Sequence, residues 1–133
     1  MKKVLSITPK LPNIANEAFQ LASNPVGGWI DSMLENLAKK EDIELSVLSL
    51  FSNDSSLIEH TVQNINCYRL DYRNKDLLAS FFNEHTFDVY QVLGIEHVYV
   101  SAIIPYLPLG KTLLNIPGIS RTCADYYFKV IDS

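Results

Sequence analysis

The stretch Lys3-Val4-Leu5-Ser6-Ile7-Thr8 decides the fold, because it is a short apolar run of the kind that forms a buried strand. Pro9 follows and ends it, since proline has no backbone N–H to give to a ladder. A long loop over 9–26 leads to Gly27-Gly28, which opens an amphipathic helix. The apolar residues of that helix recur at the spacing of one buried face: Ile30, Met33, Leu34, Leu37 and Ala38.

The rest of the chain continues this alternation of strand and helix. We predict strands over 44–51, 65–72, 88–93 and 111–116, with the strand at 65–72 edge-like and a polar connection before it. The predicted helices are one that Asn74 caps, carrying Leu77, Leu78, Phe81 and Phe82, one over 96–107 with Pro105 near its end, and one over 119–131. Alternation of this kind predicts an α/β fold, a three-layer Rossmann-like domain with a mostly parallel sheet.

Length and composition restrict the class of protein. The 133 residues fit a single domain, and 47% apolar with 20% charged residues is typical of a chain that folds. Eleven basic and fifteen acidic residues give a net charge of −4, which argues against a nucleic-acid partner.

Targeting signals and cysteine usage point to the cytoplasm. The apolar stretch at 98–109 is interrupted by Pro105 and falls short of the ~20 residues of a membrane span, so no transmembrane segment is expected. Prolines interrupt the N-terminus before a signal core could form. Cys67 and Cys123 have neither disulfide nor metal-ligand spacing, and we interpret both as small hydrophobic residues in a metal-free protein.

Three loops carry the residue types that bind ligands. In an open parallel sheet, ligands bind beyond the carboxyl ends of the strands. After the first, fourth and fifth predicted strands come three groups of candidates: Gly27, Gly28 and Trp29; Glu96 and His97; and Gly118 and Arg121. Each group has a structural alternative, respectively a tight turn, a solvated helix start and a surface ion pair. His60 and His85 lie in polar contexts and are expected to be solvated.

Together these loops resemble the N-terminal domain of family 4 glycosyltransferases of the GT-B fold, in particular bacterial capsular and exopolysaccharide enzymes. The matching segments are 4–9 with 27–30, 88–96 and 113–119, so the resemblance covers essentially the whole chain. Pro117 departs from the pattern, since the family commonly has His or Gln there to contact the donor sugar.

The resemblance implies a retaining transferase that moves a sugar from a nucleotide-sugar donor to a saccharide or lipid-linked acceptor. It implies that Gly27 and Gly28 approach the donor phosphates or the acceptor, and that Glu96 and His97 lie near the acceptor-facing turn. It implies no metal and no cofactor besides the donor substrate. A lipid-linked acceptor would bring peripheral membrane contact, for which the acidic composition gives no support.

The donor-binding half of such enzymes, with its E-x7-E motif, is a second domain C-terminal to this one. We therefore expect residues 1–133 to be a truncated N-terminal, acceptor-binding domain whose partner is the C-terminal domain of the same polypeptide, inactive in transfer by itself. Two alternatives stay open: a flavodoxin-like or receiver-like binding module without catalytic chemistry, and half of a GT-B nucleotide-sugar epimerase.

Overall fold

The computed structural model describes residues 1–9, 11–21, 28–50, 55–93, 99–108 and 110–115. The strands in this part of the chain are β1 (Lys2–Thr8), β2 (Ile43–Ser49), β3 (Ile58–Val62), β4 (Ile65–Arg69), β5 (Val89–Leu93) and β6 (Thr112–Asn115). The α-helices are α1 (Gly28–Ala38), α2 (Lys75–Glu84) and α3 (Tyr99–Ile103), and Asn13–Ala15 and Ile104–Tyr106 form 3-10 turns.

The strands form one six-stranded sheet in the order β3-β4-β2-β1-β5-β6. Five of them, β4, β2, β1, β5 and β6, run parallel, while β3 pairs antiparallel with β4. The predicted α/β class with a mostly parallel sheet is therefore confirmed. Parallel neighbours need crossover connections, which explains why helices separate most of the strands along the chain.

Buried side chains form two clusters, and successive strand residues alternate between them. Leu5 and Ile7 of β1 belong to one cluster and Val4 to the other. Because successive side chains of a strand point to opposite faces, the two clusters lie on opposite faces of the sheet. One face packs against α2 and α3 through Leu78, Phe81, Val100 and Ile103; the other packs against α1 and the 11–21 segment through Leu34, Leu11, Ala15 and Phe19.

The local helix signals are confirmed. The predicted face of α1 is buried at Leu34 and half-buried at Met33 and Leu37. The Asn74 side chain accepts a hydrogen bond from the backbone N–H of Leu77 at 3.2 Å, which satisfies one of the free amides at the start of α2. Among the described helices, none is long and apolar enough to cross a bilayer.

The expectation for the region before β4 was wrong in two respects. The polar connection contains a further strand, β3, and the strand predicted over 65–72 ends at Arg69 and lies inside the sheet, with β3 at the edge. Gln63 and Asn64 form the turn between β3 and β4 with φ of 48° and 67°. Positive φ at both central residues is the geometry of tight hairpins, and it usually requires glycine, which this turn lacks.

Two further expectations concern single side chains. His85, expected to be solvated, is half-buried with its ring centroid 4.8 Å from Phe81 and 5.2 Å from Tyr68. Cys67 is fully buried as expected of a small hydrophobic residue. The helix expected over 96–107 is described from Tyr99, while Cys123 and the helix expected over 119–131 lie outside the described residues.

Candidate functional site

The carboxyl ends of the central strands bring polar side chains into one row. Thr8 of β1 is the register partner of Ser49 of β2, and Ser49 is the register partner of Arg69 of β4. Directly opposed residues share a face of the sheet, so all three lie on the α1 face. Thr8 and Ser49 are buried and Arg69 is half-buried. We call this row the carboxyl edge.

A second polar contact lies one step deeper, between β1 and its neighbour β5. The Ser6 hydroxyl of β1 donates a hydrogen bond to Oε1 of Gln91 on β5 at 3.0 Å. Nε2 of Gln91 in turn approaches Sδ of Met33 on α1 at 3.7 Å. Through its side chain, Gln91 of β5 therefore contacts both β1 and α1. β2 and β4 lie on one side of β1, and β5 and β6 lie on the other side.

The start of α1 is tied to the segment that follows β1. The Asp31 carboxylate, in the first turn of α1, accepts a hydrogen bond from the backbone N–H of Asn13 at 2.7 Å. Asp31 is only 9% exposed. A carboxylate in the first helical turn is favoured by the positive end of the helix dipole. The contact holds the glycine-led end of α1 close to residues 11–21.

Phe19 covers the outer part of the same face. Its ring contacts the His60 imidazole edge-on, with centroids 4.7 Å apart, and the Arg69 guanidinium lies 5.9 Å from its centroid. An aromatic ring beneath a guanidinium stabilises the cation and limits its orientation. The Arg69 side chain is thereby held at the carboxyl edge.

The carboxyl edge thus offers hydroxyl and guanidinium groups, and the neighbouring Gln91 and Asp31 add a carboxamide and a carboxylate. Such groups bind the hydroxyls of a polyol, and a guanidinium adds affinity for a phosphate or carboxylate. Among the described residues, no buried side-chain nitrogen or oxygen lacks a hydrogen-bond partner, and no three His, Cys, Asp or Glu side chains come together as a metal site.

The cysteine on the same face offers no nucleophile. Burial raises the pKa of the Cys67 thiol from about 9 to about 12. The reactive form of cysteine is the thiolate, so Cys67 is inert near neutral pH.

Of the residues singled out from the sequence, two fall within the described chain. Gly28 opens α1 and Trp29 is its second residue, with helical backbone at both. Gly27, Glu96, His97, Gly118 and Arg121 lie outside the described residues. The spatial grouping of the three predicted loops therefore stays a prediction.

The sequence reasoning missed the polar pair inside the sheet and the Asp31 contact. Ser6 lies between Leu5 and Ile7, and Gln91 lies between Tyr90 and Val92. A polar residue flanked by apolar ones in a buried strand is the signal that could have found them. Asp31 carried no distinguishing signal, because an acid in the first turn of a helix is common.

Two described grooves lie at the other end of the sheet. A groove of about 770 Å³ runs between the end of α1 and the β3–β4 turn, and it is lined by Ile14, Glu35, Ala38, Lys39, Gln63, Asn64 and Ile65. Another of about 520 Å³ shares Ala38, Lys39 and Asn64 with it. Their volumes suit small ligands, but parallel sheets bind ligands at their carboxyl ends, so we favour the carboxyl edge as the functional site.

Comparison of this chain with family models, curated proteins and solved structures finds no match.

Proposed function

We propose that this chain is the acceptor-binding domain of a cytoplasmic glycosyltransferase of the GT-B type, a three-layer Rossmann-like unit that presents a saccharide or lipid-linked acceptor to a nucleotide-sugar donor. In this proposal a separate donor-binding domain holds the nucleotide sugar. Arg69, the half-buried member of the carboxyl edge, and the start of α1 orient the acceptor hydroxyl that receives the sugar.

The strand order supports the proposal. When only the parallel strands are counted, the order β4-β2-β1-β5-β6 is 3-2-1-4-5, that of Rossmann-like sheets. In such sheets the ligand lies where the order reverses, here between β1 and β5. Ser6 and Gln91 meet across these two strands.

The observation that carries the proposal is the contact between Asp31 and Asn13. It fixes the N-terminal end of α1, which begins at Gly28, beside the segment that leaves β1. Backbone amides at a helix start receive phosphate or hydroxyl oxygens, and glycine lets a ligand approach the backbone closely. A preformed site of this kind suits the hydroxyls of a saccharide acceptor.

Nuclear magnetic resonance titration of the ¹⁵N-labelled chain tests this function. The probes are saccharides carried on a short prenyl pyrophosphate, free uridine diphosphate, and flavin mononucleotide. We expect the prenyl-linked saccharides to shift the amide signals of Thr8, Asn13 and Asp31, and flavin mononucleotide to shift none of them.

The matched variants are Asp31→Ala, which removes the contact to Asn13, and Glu35→Ala, which removes an exposed carboxylate one turn further along α1. Asp31→Ala should weaken binding of the saccharide probe, and Glu35→Ala should leave it unchanged. Binding of flavin mononucleotide at the carboxyl edge would instead establish a flavodoxin-like module. Absence of shifts with every saccharide probe would overturn the acceptor role.

A further inference from the structure

β3 ends the sheet with a row of exposed residues. It is the outermost strand on its side, and among the described residues its outer edge pairs with no other strand. Glu59, His60 and Thr61 are exposed, while Ile58 and Val62 at its two ends are half-buried. An edge of this kind is a template for pairing with another strand.

The tight turn determines which backbone groups of β3 face outward. Val62 is opposite Ile65 across the two-residue turn, and the pair that closes such a turn exchanges both backbone hydrogen bonds. Bonded and non-bonded pairs alternate along an antiparallel ladder, so His60 and Ile58 also bond to β4. The N–H and C=O groups of Glu59 and Thr61 therefore point away from the sheet.

The sequence of β3 is self-complementary when it is paired with itself in the antiparallel sense. With His60 at the centre, Ile58 lies opposite Val62 of the second copy, and Glu59 lies opposite Thr61. The outward backbone groups of Glu59 and Thr61 then meet as hydrogen-bonded pairs, four bonds in total by two-fold symmetry. β-Branched side chains opposite each other, here Ile58 and Val62, are favourable cross-strand pairs. Glu59 lies opposite Thr61, whose hydroxyl donates to Asn66 within its own chain.

We propose that β3 is a homodimer interface, in which two copies of this chain join edge to edge and continue one sheet across the two-fold axis. A second copy fits this edge because the Ile58–Val62 pairs and the four backbone hydrogen bonds all form in one register, with His60 facing His60 of the second copy at the axis. The two Glu59 carboxylates lie diagonally across the axis and repel each other. This repulsion and the short strand make the dimer weak.

Sedimentation equilibrium from about 10 µM to 1 mM tests this interface with two variants at one position. Thr61→Pro removes an outward N–H that does not take part in the pairing of β3 with β4, whereas Thr61→Val keeps that N–H. Both variants lose the hydrogen bond from the Thr61 hydroxyl to Asn66. The comparison between them therefore reports on the backbone N–H at position 61. In the dimer, Thr61→Pro removes two of the four intermolecular backbone hydrogen bonds, one from each copy. It should raise the dimer dissociation constant by at least about tenfold, and Thr61→Val should change that constant little.

Two further measurements test the interface if Thr61→Pro fails to fold. Glu59→Gln removes the diagonal repulsion and should tighten the dimer several-fold. A sample mixing labelled and unlabelled chains should give intermolecular contacts between the methyl groups of Ile58 and Val62, which are too far apart within one strand. A chain that stays monomeric at 1 mM, or a dimer that lacks the Ile58–Val62 contacts, would overturn the proposal.

Discussion

The Asp31 carboxylate on α1 accepts a hydrogen bond from the backbone N–H of Asn13 at 2.7 Å, across 18 residues of sequence. This contact fixes the helix start relative to the segment after β1. We expect it to stabilise the fold, and this contribution can be measured apart from ligand binding.

Asp31→Ala should lower the free energy of unfolding by about 1–2 kcal/mol, because it leaves a partly buried N–H without its charged acceptor. Urea denaturation followed by circular dichroism measures the loss. Glu35→Ala, at an exposed position of the same helix, should change stability by less than about 0.5 kcal/mol. Equal effects of the two substitutions would contradict the role of the contact.

Phe81 is the centre of the aromatic packing between α2 and the sheet. It is 1% exposed, and its ring lies edge-on to Tyr68 at 5.1 Å and to Phe82 at 5.3 Å. Phe81→Ala should cost about 3–5 kcal/mol of stability, whereas Phe82→Ala, at a half-buried ring, should cost clearly less. Thermal denaturation of the two variants provides the comparison, and equal losses would contradict the central position of Phe81.

The elements that the sequence predicts well are those whose signals are local. The apolar spacing of α1 and the Asn74 cap of α2 each depend on residues within a few positions of one another. β3 lacks such a signal, because its three central residues are exposed and its turn has no glycine. β3 can be recognised as a strand only from its pairing with β4 in the folded structure.

The residues of the candidate site also divide into those with a local sequence signal and those that meet only through the fold. Gly28 could be singled out because a glycine pair at a helix start is a local pattern. Ser6 and Gln91 are 85 residues apart, and they meet because β1 and β5 are neighbours in one particular register. A single sequence does not determine that register, so their hydrogen bond could not be predicted.

The Asn74 cap allows a prediction about α2. Asn74→Ala should destabilise the protein by about 1 kcal/mol, because the Leu77 N–H loses its side-chain acceptor, and Asn74→Asp should retain the stability. Asn83→Ala, at an exposed position of the same helix, is the matched control and should be nearly neutral. Urea denaturation of the three variants gives the ranking, and a destabilised Asn74→Asp variant would argue against the cap.

The buried thiol of Cys67 makes the free energy of unfolding depend on pH in the alkaline range. Burial raises its pKa in the folded state to about 12, above the value of about 9 for an accessible thiol. The folded state therefore favours the protonated thiol; its contribution is fully present below about pH 9 and falls as the pH rises toward 12.

Stability measured by urea denaturation from pH 8 to 11 should decline with a component that Cys67→Ala abolishes. In a Cys123→Ser background, a thiol reagent at pH 8 should modify Cys67 only when the protein unfolds. Rapid modification of the native protein would contradict the burial of this thiol.

The β3–β4 turn gives the clearest case for increased stability. Gln63 and Asn64 both have positive φ, at 48° and 67°, and such a conformation costs a residue with a long side chain more than it costs Asn or Gly. Replacing the pair by Asn-Gly, through Gln63→Asn with Asn64→Gly, should raise the free energy of unfolding by about 0.5–1 kcal/mol, since this dipeptide is the preferred one for two-residue hairpins. Gln63→Val should have the opposite effect, because a β-branched residue disfavours positive φ most strongly. Urea denaturation of both variants measures the difference, and a stabilising Gln63→Val substitution would contradict the turn conformation.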